Sequence, residues 1–183
     1  MSTPDEPSKL KKKPELIVRE MTIDDLALVF HMGEKLFTAR DVPNLYRTWD
    51  EYEIVELFNS DGELCLVAEV EEQVVGFALG TVIEKSRSAW TYGHLIWLGV
   101  APAHQKAGIG EKLFVHIRAL MARMGVRMII VDTEADNESA LRFFQKIGFG
   151  KPLPHIYLTL NLSAHKPRNG MRRNHHVEPD KEQ

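Results

Sequence analysis

The chain has 183 residues, 44% of them hydrophobic, enough for one domain with a real core and offering no second apolar stretch of domain size. It lacks any run of about 18 apolar residues, and Met1 to Pro14 lacks the apolar centre of a secretory signal, so a soluble, cytoplasmic protein with no membrane partner is expected. The 23 basic and 26 acidic residues are unevenly placed: the two ends take nine bases and five acids, leaving 14 and 21 in the middle, a net −7 that disfavours a nucleic-acid surface and suits a cationic partner.

Residues 1–14 and 163–183 carry the basic excess and are expected to be disordered, charged tails around one domain at 15–162. Lys11-Lys12-Lys13 and Arg172-Arg173-Asn174-His175-His176 are compatible with RNA or membrane contact, but a solvated end is the simpler expectation, and the His pair is too isolated to imply a metal. The lone Cys65 permits no internal disulfide. Lying mid-strand with no histidine beside it, it is expected to be a buried thiol.

In chain order, residues 15–20 alternate as a short strand, and Thr22 is placed to cap a helix that runs to about Phe37 with Asp24 and Asp25 in its first turn. After a loop containing Pro43, Thr48 or Asp50 caps a second helix, Glu51 to Phe58, which stops at the turn Asn59-Ser60-Asp61-Gly62. Leu64 to Val70 and Val74 to Ile83 are β-rich runs joined by Glu71-Glu72-Gln73, the pattern of an antiparallel hairpin. A third long strand is expected at about His94 to Val100. Ile109, Leu113, Ile117, Leu120 and Met124 then recur at helical spacing up to Gly125. Arg127 to Thr133 is apolar almost throughout, as a central strand buried on both faces would be, and strand–helix–strand from His94 to Asp132 predicts parallel pairing through one crossover. Asp136 and Asn137 cap a short helix with Ala140, Phe143, Phe144 and Ile147 inward, closed by Gly148, and His155 to Leu162 supplies a last strand.

The most informative stretch joins the third strand to the third helix: Gln105-Lys106-Ala107-Gly108-Ile109-Gly110, then Glu111-Lys112-Leu113. Glycines at a helix start leave its first N–H groups, which have no partner inside the helix, open to an anion. Lys106 and Lys112 place cations nearby. No Gly-Lys-Ser/Thr ending follows and the third glycine of a dinucleotide fingerprint is missing, so a different phosphate ligand is needed.

Taken together, Val100-x4-Gln105-x2-Gly108-x-Gly110 and Asn137-x2-Ala140-x2-Phe143-Phe144-x3-Gly148-Phe149, in that order and distance, resemble the GNAT superfamily of acetyl-CoA-dependent N-acetyltransferases. The resemblance is strong from Tyr92 to Gly150 and extends to Leu16–Gly80 only in the order of elements. It implies an α/β fold, a mixed sheet of six or seven strands flanked by about four helices, with two central strands splayed to admit the pantetheine arm. Gly99 would suit a bulge there. It also implies that the backbone of Leu98 and Val100 pairs with pantetheine and that the amides of Gln105, Lys106, Ala107, Gly108, Ile109 and Gly110 hold the pyrophosphate. Asn137 and Phe144 would meet the cofactor arm from the other side. Acetyl-CoA is the implied co-substrate, no metal is needed, and homodimers are common in such domains.

Acetyl transfer needs a neutral amine, a donor for the developing oxyanion and an exit for the thiolate. The resemblance points to the backbone N–H of Leu98 as that donor and to Asp132, with Glu134 two residues on, as base; each acid equally suits a strand end or helix cap. Tyr92, His94 and Glu84 stand in reserve. The sequence departs from the family at Phe144, where many members carry a tyrosine that acts as acid, so Tyr157 or water must serve. Asp41, Asp50, Glu51, Glu53 and Glu56, interspersed with Tyr46, Trp49 and Tyr52, form either an acidic rim for a protonated amine or a solvated helix face. The expected activity is therefore N-acetylation of a primary amine on a small molecule or a protein. The competing expectation is an acyl-CoA sensor without turnover.

Overall fold

Five strands form one mixed sheet among the residues described in the computed structural model, which are 15–37, 49–84, 90–156 and 158. Strands β1 (Leu16–Glu20), β2 (Cys65–Val70), β3 (Gln73–Glu84) and β4 (Thr91–Val100) are antiparallel in chain order, and β5 (Met128–Ile130) joins β4 in parallel. Helices α1 (Leu26–Leu36) and α2 (Glu51–Ser60) lie on one face of the sheet, with α3 (Ile109–Arg123) on the other; α4 (Glu138–Lys146) follows β5. The described residues divide after Gly150 into two units. All the elements lie in the first, and the described part of the second has no regular structure and exposes Leu153, Ile156 and Leu158.

The sheet separates two cores, as its alternating side chains require. On the α3 face, Leu66, Ala78 and Leu95 meet Ile109, Leu113, Ile117 and Met121, a buried stripe at four-residue intervals. On the other face, Val67, Phe77, Leu79 and Trp97 meet Val29, Ile54 and Leu57. Helix starts follow the expected caps. The Asp25 carboxylate accepts from Thr22 N and Oγ1, and Asp50 rather than Thr48 caps α2, its Oδ1 accepting from Glu53 N at 2.9 Å. Gly125, with φ +82°, closes α3.

Three expectations change. The hairpin between β2 and β3 turns on Glu71 and Glu72 alone, both at positive φ, because Val70 already pairs with Gln73. The run 127–133, expected as a strand buried on both faces, is a three-residue strand with Met128 and Ile130 part exposed, since no described strand lies on its outer side. The described strands number five rather than six or seven: His155 and Ile156 are not in a strand, and of the remainder of the expected last strand only Leu158 is described.

Candidate active site

Where β4 and β5 meet, the ladder is brief. Tyr92, Gly93 and His94 pair with Met128, Ile129 and Ile130; β4 then continues to Val100 without β5, whose chain leaves the sheet at Val131. This leaves a wedge between two parallel strands, beside Leu95 to Val100. Register also shifts within β4, where Leu79 pairs with Trp97 but Gly80 with Leu95, so Ile96 is the extra residue of a bulge. The bulge is therefore at Ile96 and not at Gly99, its expected place. Gly99 is small for another reason: a Cβ there would meet Phe77 and Leu36 at 2.8 Å.

Below the wedge, a 3-10 turn at Pro102–His104 leads into the glycine bend. Lys106 and Gly108 take left-handed φ values of +63° and +81°, and Gly108 starts α3 with no side-chain cap. The first helical return bond is Lys112 N to Gly108 O at 3.1 Å, so the amides of Ile109, Gly110 and Glu111 precede it and stay available. Successive amides around left-handed residues form a concave nest for an anion, and the helix dipole adds to it. Gly108 has open space where its Cβ would be. Lys106 and Lys112 are exposed beside it. His104 Nδ1 is buried at the loop entrance with no partner among the described residues. These features fit a phosphate group with a narrow arm running up the wedge, as in an acyl-CoA.

The other predicted site residues are placed as follows. Gln105 turns back on the strand, its Nε2 donating to Val100 O at 3.1 Å, so one lone pair of that carbonyl is already used. Ala107 is exposed within the bend and Ile109 is buried beneath it. Leu98 stands opposite Ala78; since Ala101 N donates to Val75 O at 2.8 Å, antiparallel alternation turns the Leu98 N and O away from β3, and its side chain packs on the α3 core. Asn137 caps α4, its Oδ1 accepting from Ala140 N at 3.1 Å. Phe144 packs in an aromatic cluster, its ring 5.2 Å from Phe143 and 5.3 Å from Phe149. Phe143, read from sequence only as an inward residue of the short helix, approaches the bend: a Cβ on Gly110 would lie 3.4 Å from its ring. Tyr157 is outside the described residues.

Asp132 and Glu134 do not share a strand, because β5 has ended before either; both lie in the irregular segment leading to α4. Asp132 instead meets His94, one of the reserve candidates, with His94 Nε2 to Asp132 Oδ1 at 2.9 Å. Sequence distance hid this pair, since 38 residues separate its members. The parallel register explains it: His94 pairs with Ile130, and Asp132 lies two residues beyond.

On the α1/α2 side of the wedge, Trp97 follows the bulge and packs edge-on against Trp49 at 5.1 Å. Trp97 Nε1 donates to Glu53 Oε2 at 3.1 Å, and Trp49 Nε1 donates to Phe30 O at 3.0 Å. Two acids of the expected rim therefore have local duties, Asp50 as a cap and Glu53 on an indole. Glu51, Tyr52 and Glu56 are exposed, while Asp41 and Tyr46 lie outside the described residues. No group of three or more metal-ligating side chains occurs among the described residues, and no helix there is long and apolar enough to cross a membrane.

Comparison with known proteins bears on the family and the fold. Mycothiol acetyltransferase from Amycolatopsis mediterranei is 34% identical over 127 residues, covering 67% of this chain but only 39% of that protein. The chain thus matches about two fifths of that relative's length. Among solved structures, the aminoglycoside N-acetyltransferase AAC(6')-Iy in complex with CoA superposes with a TM-score of 0.67 at 15% identity, over 82% of this chain and 98% of that one. The aminoglycoside acetyltransferase meta-AAC0020, from an uncultured soil metagenomic sample, gives 0.63 at 22% identity, over 80% and 97%. Both show the fold. Residues 33–149 match the model of the acetyltransferase (GNAT) family, and the chain belongs to that family.

Proposed function

We propose that the protein transfers an acetyl group from acetyl-CoA to a primary amine by direct attack on the thioester. The observation that carries this reading is the wedge beyond His94 and Ile130 standing above an uncapped, glycine-shaped amide nest. Bound acetyl-CoA supplies the activated acyl group. The amides from Gln105 to Gly110, with Lys106 and Lys112, hold its pyrophosphate, and the backbone of Leu98 and Val100 lines its arm. The N–H of Leu98 is the oxyanion donor in this reading. Asn137 and Phe144 flank the arm from α4. The polar groups at the mouth, His94, Asp132 and Glu134, receive the proton that the amine gives up. Phe144 has no proton to give, so the thiolate takes its own from water or from Tyr157; with a thiol pKa of about 8.5 it leaves tolerably without help.

The acceptor is read as a cationic amine, on a small molecule or a protein end, because the middle of the chain is acidic and Glu51 and Glu56 are exposed on α2. The structural relatives named as aminoglycoside acetyltransferases make polyamino sugars a sensible first group to try. Release of CoA thiol should be followed over a panel of aminoglycosides, polyamines, amino-sugar thiols and basic peptides. Turnover of any of them supports the proposal. Micromolar CoA binding with no turnover of any acceptor would favour the second reading, an acyl-CoA sensor, to which the packing of Phe144 as a core aromatic lends some weight.

A further inference from the structure

We infer that His94, through Nδ1, is the catalytic base, and that Asp132 is a positioning residue that holds the imidazole in the tautomer this requires. The inference rests on the acetyltransferase reading and refines it, since the family resemblance pointed to Asp132 or Glu134 as base.

An ionised carboxylate only accepts hydrogen bonds. The 2.9 Å contact between Asp132 Oδ1 and His94 Nε2 therefore puts the ring proton on Nε2 and leaves the Nδ1 lone pair as the acceptor. No hydrogen bond to Nδ1 occurs among the described residues. His94 is also the last residue of β4 that β5 covers, so it stands at the apex of the wedge. Its side chain faces the α1/α2 side: Gly93 before it, and Gly80 opposite the next residue Leu95, are backed by Met121 of α3, while its own partner Thr81, on the same face as His94, reaches Asp61 at the end of α2. The bulged Ile96 and Trp97 lie on that same face farther along β4. The ring keeps about a fifth of its surface open, 21%, against 42% for Asp132, which is open enough for an amine to reach and enclosed enough to be oriented.

The titratable groups on the elements around it are these. Asp132 touches it from beyond β5, Asp61 lies behind Thr81 with Oδ1 taking that hydroxyl, Tyr92 is two residues earlier on the same face of β4, and Glu53 on α2 is turned to Trp97. Of these, imidazole ordinarily titrates nearest neutrality, which suits proton removal from an ammonium better than a carboxylate does. In the step, the amine nitrogen bonds to the acyl carbon as the carbon–sulfur bond breaks and the sulfur keeps that electron pair. One amine proton goes to His94 Nδ1 and returns to solvent or to the thiolate. From a protonated amine, the products are the amide, CoA thiol and one released proton.

His94→Gln keeps a side-chain N–H placed to reach Asp132 but has no basic nitrogen, and Asp132→Ala removes the positioning group. With a turned-over amine as acceptor, His94→Gln should lower kcat by roughly a hundredfold and abolish the acid limb of the kcat/KM pH profile. Asp132→Ala should lower kcat by about tenfold, because the imidazole loses the group that fixes its tautomer, and should leave the acid limb in place. CoA affinity by calorimetry should stay within about twofold for both, given a cradle built from Gln105 to Gly110. Nitrogen-15 NMR of the histidine ring in the ligand-free protein should show proton-free Nδ1 above the ring's pKa, and mixed tautomers in Asp132→Ala. Full activity with an unchanged acid limb in His94→Gln overturns the inference, as does a proton resident on Nδ1. Wild-type protein that binds CoA yet turns over no amine instead overturns the acetyltransferase reading on which the inference stands.

Discussion

Gly108→Ala separates the part of the bend that serves the fold from the part that serves the ligand. Gly108 has φ +81° and nothing within 4 Å of its missing Cβ, so the substitution meets no atom and its whole cost is conformational. For an L-residue held in the left-handed region that cost is about 1–2 kcal/mol. Gly125 is a matched control: φ +82°, equally open, but at the far end of α3. Both alanine variants should lose about 1–2 kcal/mol in urea titrations followed by tryptophan fluorescence. For a domain of this size that corresponds to a fall in Tm of roughly 2–4 °C per kcal/mol. Only Gly108→Ala should weaken CoA. If the variant relieves its strain by rotating an amide out of the nest, binding must restore it, so affinity falls by up to the same amount, about 5- to 30-fold at 1.4 kcal/mol per decade. Calorimetric titration with CoA measures this. Equal CoA affinity in Gly108→Ala and wild type, with the expected loss of stability in Gly125→Ala, would refute the bend as a preformed cradle.

The Arg19 guanidinium, bonded to both Asp25 oxygens at 2.6 and 3.0 Å and also to Glu69, holds the Asp25 carboxyl at about 2, against burial and with help from Thr22. A depressed folded-state value stabilises the protein above the ordinary carboxylate range and is lost as pH falls through it. Between about pH 4 and 2 the fold should therefore lose about 2 kcal/mol that Asp25→Asn lacks throughout, as measured by urea midpoints against pH. Burial, with the Asp61 charge nearby, pushes the Cys65 thiol up to about 12. An aromatic disulfide reagent at pH 8 should accordingly find no thiol until denaturant is added, and then one per chain. Gly33→Ala would drive a Cβ to 2.0 Å from the Trp49 ring, which must leave Phe30 O. A loss of about 1–3 kcal/mol and a red-shifted emission are expected, and unchanged emission would show that the α1/α2 packing is not as described.

The order of elements and the shape of the glycine bend were legible because each rests on local chemistry: caps at Thr22 and Asp50, stops at Gly125 and Gly148, and helical spacing from Ile109. What the sequence concealed was long-range. Nothing near Ile96 marks it as the bulged residue, since the extra position is defined only against Leu79 and Gly80 on the neighbouring strand. Gly99 looked the better place because glycine tolerates irregular backbone, but its role is clearance for Phe77 and Leu36. Likewise the apolar character of Arg127 to Thr133 foretold a strand and not its length; pairing with Tyr92, Gly93 and His94 sets that.

The bulge has a chemical consequence that ties these points together. Without an extra residue, side chains on β4 would alternate strictly, and Trp97 would lie on the same face as Leu95, towards α3. With it, Ile96 and Trp97 both turn to the α1/α2 face, the face His94 already occupies, while Leu98 returns to the α3 core. One inserted residue thus sets the His94 imidazole and an aromatic floor on one side of the wedge, with the glycine bend at its base, where the proposed reading puts the phosphates. Trp97 in turn draws the Glu53 carboxylate to its indole, so charge that the sequence assigned to the rim is held at the floor. In the proposed reading a cationic acceptor would then meet Glu51 and Glu56, which are exposed outside the packed cluster, so substituting them should lower acceptor affinity and leave the floor intact.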